Sequence, residues 1–241
     1  MFESESIPTA SFLDIFSIHQ PNTEPFTIPT QNHFNEKMKE YGITKEDTAV
    51  FYSQKNVIGS YRMWYLMTSF GHPHSLILDG NLKEWEEKGF EISNNNLSES
   101  KPSVADGDLS YTKDSLKLEC QLDDVIQAVK TKSGIIIDTR VSEIYNADPI
   151  PPRKLSHIPG AISLPYKDLL GGNQKVFSLP RLHHILTRKK IDLSKKMIVY
   201  CNKGIVATVC FAVLSHLGAD VKLYNGSWAE YSSSERTLEL E

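Results

Sequence analysis

The chain has 241 residues, 40% of them apolar, a formal net charge of −4 and three cysteines. Length and apolar content suit one large or two modest α/β domains with real cores, and the charge gives no case for a nucleic-acid or anionic-surface binder. No apolar run spans a membrane, and three scattered cysteines make no disulfide framework and suit a reducing compartment.

In chain order, the opening residues MFESESIPTASF are acidic and polar, with no visible signal or transit peptide. Residues 1–30 read as loop, with a short strand around Ser11 to Ile15. Gln31 to Tyr41 reads as a helix stopped by Gly42, Thr48 to Tyr52 as a strand, and Ser60 to Phe70 as a helix stopped by Gly71. Leu76 to Leu78 is a predicted strand and Leu82 to Lys88 a predicted helix. Residues 93–109 are polar and irregular, a linker by composition. Beyond it come a helix over Gln121 to Lys130, a strand over Gly134 to Asp138 and a Pro-rich loop over Asn146 to Arg153. A short strand over Ile162 to Leu164 and a helix over Arg181 to Arg188 follow. Met197 to Tyr200 reads as a buried parallel strand. Val206, Val209, Cys210, Val213, Leu214 and Leu217 then fall at helical spacing, with Gly218 as the stop. Val221 to Tyr224 is a predicted strand, and Trp228 to Arg236 a closing helix.

The stretch from Met197 to Gly218 carries the chemistry. Its loop is Cys201, Asn202, Lys203, Gly204, Ile205, Val206. A cysteine at the carboxyl end of a strand and ahead of a helix stands where an open α/β sheet places its ligand. The helix dipole and the loop amides favour an anion there, and Lys203 adds positive charge, so the thiol is expected to ionise readily. Cys120 and Cys210 read as small buried apolar residues. His183 and His184 are adjacent and point apart on a helix, and nothing completes a metal site.

The two halves repeat weakly. SIPTASFLDI (6–15) echoes HIPGAISLPY (157–166), AVFYSQKNVIGSYRMWYLMTSFG (49–71) echoes MIVYCNKGIVATVCFAVLSHLG, and LILDGNLKEW (76–85) echoes VKLYNGSWAEY (221–231). Ser53 stands where Cys201 stands, so the first half reads as a non-catalytic copy. The IIIDTR strand (135–140) precedes HIPGA, and its counterpart would lie before residue 1. The expected organisation is a truncated, non-catalytic domain over 1–92 lacking at least one strand and its neighbouring helix, a linker over 93–110 and a catalytic domain over 111–241.

HIPGA at 157–161, IIDTR at 136–140, the loop CNKGIV, the closing YNGSWAEY at 224–231 and FGHPHSLILDGNLKEW at 70–85 together resemble the two-domain rhodanese family. These are the thiosulfate and 3-mercaptopyruvate sulfurtransferases. The resemblance implies an α/β fold of two rhodanese-like domains, each a mostly parallel sheet flanked by helices. It implies Cys201 as a nucleophile that carries a persulfide from a small sulfur donor to cyanide or another thiol, with no metal or organic cofactor. A monomer or weak dimer in the cytoplasm or mitochondrion is expected, without nucleic-acid or membrane partners.

Departures from the family touch the donor. Thiosulfate-preferring members carry two basic residues after the cysteine; here Asn202 takes the first place and Lys203 the second. Mercaptopyruvate-preferring members carry small residues there. The usual loop-ending Thr or Ser is Val206, a usual arginine falls at Ile144, and a first-domain histidine is Ser6. Asp138 and Arg140 read either as orienting the loop or as a structural ion pair. Arg153 reads either as a site for the substrate's anionic group or as a solvated charge. His157 reads as packing or capping its turn, Trp228 as a core anchor, and Arg62 as a surface charge or a residue facing a cleft between the halves. The alternative to an enzyme is a rhodanese-like persulfide carrier or protein-binding module. A cysteine phosphatase needs an arginine where Ala207 stands.

Overall fold

The structure, a computed structural model, describes residues 5–24, 26–94, 111–112 and 118–241. Most of the expected linker lies outside the described residues. Contacts divide the chain into two units, residues 1–114 with 172–175, and residues 115–171 with 176–241.

The first unit contains α1 (Gln31–Glu40), β1 (Ala49–Phe51), α2 (Ile58–Ser69), β2 (Ser75–Ile77) and α3 (Leu82–Glu87). Thr30 caps α1 through the His33 amide, and Asn81 caps α3 through the Glu84 amide, as helix starts require. β1 and β2 pair in parallel, Val50 opposite Leu76. Phe34 stacks on Phe70 at 4.1 Å with Tyr111 edge-on at 5.5 Å, which anchors α1 and α2 in one core. Arg62 is buried, not a surface charge, and donates to the Phe26 carbonyl at 2.7 Å. Residues 11–14 form no strand, contrary to expectation. They lead into a 3₁₀ turn, Ile15–Ser17, and no β partner runs beside them among the described residues.

The second unit is built on five parallel strands: β3 (Glu119–Cys120), β4 (Ile135–Asp138), β5 (Ile162–Ser163), β6 (Met197–Tyr200) and β7 (Val221–Tyr224). Their order is β3-β7-β6-β4-β5. Helices α4 (Leu122–Thr131), α5 (Ser142–Tyr145), α6 (Leu179–Arg188), α7 (Ala207–His216) and α8 (Ser227–Ser233) connect or follow them, and a 3₁₀ stretch, Glu235–Leu240, comes after α8. The near-continuous apolar runs IIID and MIVY are what a parallel sheet covered on both faces demands. α4 starts with a reciprocal capping box between Gln121 and Asp124. From β4 the chain passes to β5 on one side and returns to β6 on the other. The carboxyl ends of β4 and β6 therefore form the switch point of the sheet, the place where such sheets bind ligands.

Candidate active site

β6 ends at Tyr200 and α7 begins at Ala207, so Cys201 to Val206 make up the whole connection at that switch point. Cys201 is buried, Asn202 and Lys203 are exposed, Gly204 is buried, and Ile205 and Val206 are half-buried. The loop is held from the segment that follows β7. The Ser227 hydroxyl accepts from the Cys201 amide at 3.1 Å and the Gly204 amide at 3.0 Å, and donates to the Tyr224 carbonyl at 2.9 Å. One hydroxyl thereby uses its donor and both its acceptor sites. Ser227 is fully buried and holds φ +56°, a left-handed conformation that a side chain rarely adopts. The Trp228 and Ala229 amides, at the start of α8, donate to the carbonyls of Cys201 and Asn202, both at 3.1 Å.

Gly204 sits at φ +72°, and a Cβ there would lie 2.6 Å from the Asn225 carbonyl oxygen. Only glycine meets both conditions. The amides of Asn202, Ile205 and Val206 have no protein acceptor among the described residues. They stand ahead of a ten-residue helix whose dipole is positive at that end. The loop thus offers N–H groups to an anion beside one sulfur atom.

Asp138 and Arg140 form a buried pair behind the loop. Arg140 Nε donates to both Asp138 carboxylate oxygens at 3.0 and 3.1 Å, and Nη2 donates to the Ser156 carbonyl at 2.8 Å. The Tyr200 hydroxyl donates to Asp138 Oδ2 at 2.7 Å and accepts from the Ile158 amide at 3.0 Å. Burial, and then the Asp138 charge, push the Tyr200 phenol well above its ordinary range, so it stays a donor. The ends of β4 and β6 are thereby locked to the HIPGA turn. Removing one partner of such a pair costs about 3–5 kcal/mol. His157 stacks on Tyr145 at 3.9 Å, with Nδ1 3.1 Å from the Tyr145 carbonyl.

Arg153 is buried, not solvated. Its guanidinium donates to the carbonyls of Tyr231, Ser232 and Ser234, and Nη1 pairs with Glu241 Oε1 at 2.9 Å. It ties the Pro-rich loop to the end of α8. Beside it lies a cleft of about 370 Å³ lined by Arg140, Ile144, Ile150, Arg153, Ser156 and Trp228, among others. The Trp228 ring carries the Arg140 guanidinium at 5.1 Å, and Ile144 is half-exposed.

Cys120 and Cys210 lie in the core. Burial pushes the Cys120 thiol up to about 12 and raises the Cys210 thiol well above the usual range. Reading the sequence missed Ser227 and Tyr200. The signal for the first lay in YNGSW, where a serine follows a glycine between strand and helix. Among the described residues no group of three or more His, Cys, Asp and Glu side chains converges as metal ligands, and no helix is long and apolar enough to cross a membrane.

The Rhodanese-like domain family matches residues 121–234. Human 3-mercaptopyruvate sulfurtransferase is 27% identical over 240 residues, covering 95% of this chain and 78% of the relative. A Mycobacterium tuberculosis protein named as putative thiosulfate sulfurtransferase SseB is 30% identical over 207 residues, covering 86% of this chain and 71% of the relative. The solved structure of SseA from Escherichia coli, described as a 3-mercaptopyruvate sulfotransferase with the rhodanese fold, superposes with a TM-score of 0.81 at 25% identity, over 93% of this chain and 84% of that one. A parallel sheet with a cysteine loop at its switch point is the rhodanese arrangement, and the chain belongs to the rhodanese family. It is a sulfurtransferase.

Proposed function

We propose that Cys201 carries the transferred sulfur as a persulfide. With thiosulfate as donor, the Cys201 thiolate attacks the outer sulfur, the S–S bond of thiosulfate breaks, and sulfite leaves with the electron pair. An acceptor such as cyanide then attacks the outer persulfide sulfur, forms thiocyanate and returns the thiolate. The observation that carries this reading is the loop itself. Cys201 sits at the switch point, its own amide and that of Gly204 are pinned by Ser227, and the Asn202, Ile205 and Val206 amides are left to an anion.

Thiosulfate is the donor this site favours, at least as well as 3-mercaptopyruvate. Lys203 is an exposed cation two residues past the nucleophile, suited to a compact dianion. Mercaptopyruvate needs a second anchor for a carboxylate several bonds from its sulfur. Ile144 is apolar, and the Arg153 donors are taken by carbonyls and Glu241. The test is thiocyanate formation from thiosulfate and cyanide. Wild type turns over, Cys201→Ser has no activity above the uncatalysed rate, and Cys120→Ser and Cys210→Ser keep the chemistry. Residual turnover in Cys201→Ser would overturn the assignment.

A further inference from the structure

Trp228 meets two parts of the site with two different parts of itself. Its amide, at the start of α8, has no carbonyl one turn back inside the helix and donates to the Cys201 carbonyl at 3.1 Å. The next amide, of Ala229, does the same for the Asn202 carbonyl. The Trp228 ring meets the buried ion pair instead. The Arg140 guanidinium sits over the indole at 5.1 Å, and Tyr231 stacks on it at 5.9 Å. Arg140 is 5% exposed, and its contacts to both Asp138 oxygens and to the Ser156 carbonyl fix the guanidinium. The ring is thus placed by a group that is itself held.

Ser227 stands between that ring and the loop. It is fully buried at φ +56°, and its hydroxyl holds the Cys201 and Gly204 amides. A left-handed backbone at a residue with a side chain is costly and persists only where its surroundings over-determine it. The hydroxyl contacts fix the side chain of Ser227; the Trp228 ring on Arg140 fixes the backbone that follows. The Asp138–Arg140–Tyr200 frame therefore reaches the loop twice. β6 carries it to Cys201 through Tyr200, and Trp228 carries it to the loop carbonyls.

We infer that Trp228 is a positioning residue for sulfur transfer: its indole, seated on Arg140, holds the Ser227–Ala229 segment against the loop and so aims the loop amides at the transferred sulfur. The inference rests on Cys201 as the nucleophile. A cation is held best by an indole face, less well by a phenyl ring, and an aliphatic chain offers no such face.

The test is single-turnover release of sulfite from thiosulfate. Its maximal rate reads the transfer step, and its half-saturating concentration reads donor binding. Trp228→Leu should lower the maximal rate about tenfold, because small misplacements of reacting groups are costly, and shift half-saturation by less than about twofold. Trp228→Phe should recover the rate to within about threefold of wild type. In an Arg140→Lys background, which lacks the planar guanidinium, Trp228→Leu should cost less than about twofold more. Val125→Ala opens a cavity in the cluster against which Trp228 packs; it should lower the unfolding midpoint and keep the maximal rate. Trp228→Met takes the place of the leucine variant if that one fails to fold. The inference is overturned by a wild-type maximal rate in folded Trp228→Leu, by a change confined to half-saturation, or by a phenylalanine variant as slow as leucine. An equal cost in the Arg140→Lys background, or equal slowing by Val125→Ala, also overturns it. Turnover in Cys201→Ser would sink the nucleophile and this inference together, whereas an inactive Cys201→Ser beside a fast Trp228→Leu sinks this inference alone.

Discussion

Ser227 governs the loop through a single oxygen, and its removal is the sharpest test of how the cysteine is held. Ser227→Ala leaves the buried amides of Cys201 and Gly204 without an acceptor, at about 1–3 kcal/mol each. The expected outcome is a lowered unfolding midpoint and at least a tenfold fall in thiosulfate kcat/KM. Ser227→Gly also loses the hydroxyl but relaxes the φ of +56°. It should therefore match alanine in activity and exceed it in stability. If Ser227→Ala keeps full turnover, the loop holds its shape without the hydroxyl. Lys203 is tested by donor discrimination. Lys203→Ala should raise the KM for thiosulfate more than that for mercaptopyruvate, by an amount worth about 1 kcal/mol or less, as for an exposed pair. An unchanged kcat/KM ratio between the two donors places donor choice elsewhere. The place of Cys201 between a strand and a helix was legible in the sequence, because strand, glycine-bearing loop and helix follow each other locally. Ser227 was not, because its partners lie 23 and 26 residues back and meet it only across the β6–β7 edge. Arg153 misled for a similar reason. Nothing local shows that its charge will be met by carbonyls far along the chain, 78 to 81 residues on.

The turn after α2 makes the first unit sensitive to acid. His72 Nε2 donates to the Thr44 carbonyl at 3.1 Å, and Nδ1 accepts from the His74 amide at 3.2 Å, with the Ser75 hydroxyl 3.1 Å away. That pattern requires the neutral ring, since a proton on Nδ1 would face the His74 N–H. Burial lowers the His72 pKa below its ordinary value, with the His74 charge in the same direction and the Thr44 carbonyl and Asp47 against it. The unfolded chain therefore binds this proton first. The stability the neutral ring gives is complete above about pH 6.5 and is lost as pH falls below that value. Amide protection of residues 72–77 should fall between pH 7.5 and 5.5, and His72→Gln should flatten the dependence. A wild-type profile no steeper than the variant's would remove His72 as the cause. Elements with a strong apolar period or a capped start were readable: α1, α3, β4, β6 and β7 stand within a residue or two of expectation. The expected strand at Ser11 to Ile15 failed although its residues suit one. A strand exists only against a neighbour, and β4, which gives the matching segment β5 its bonds in the second unit, has no counterpart among the described residues of the first. Propensity was right and context decided.

The two units differ in how many strands their described residues form. The second unit has five parallel strands with helices joining them, and its buried Asp138–Arg140–Tyr200 frame is satisfied within residues 138–200. The first has two described strands, three residues each, and leaves Val50 and Leu76 exposed in register. Two-stranded sheets are marginal in water unless packing supports them. Here α1, α2 and the Phe34–Phe70–Tyr111 cluster supply packing from one side. Separate expression therefore should treat the halves differently. A fragment of residues 118–241 carries residues 172–175, which belong to the first unit, without their Lys175–Glu84 ion pair. It should unfold in one cooperative thermal transition. A fragment of residues 1–112 keeps Tyr111 but leaves the β1 edge and the Val50–Leu76 face in water. It should melt at a lower temperature with a broader transition, and bind a dye for exposed apolar surface before melting. If the 1–112 fragment instead gives the sharper and higher transition, the apolar packing around Phe34 outweighs the incomplete sheet, and stability in this chain does not follow strand count.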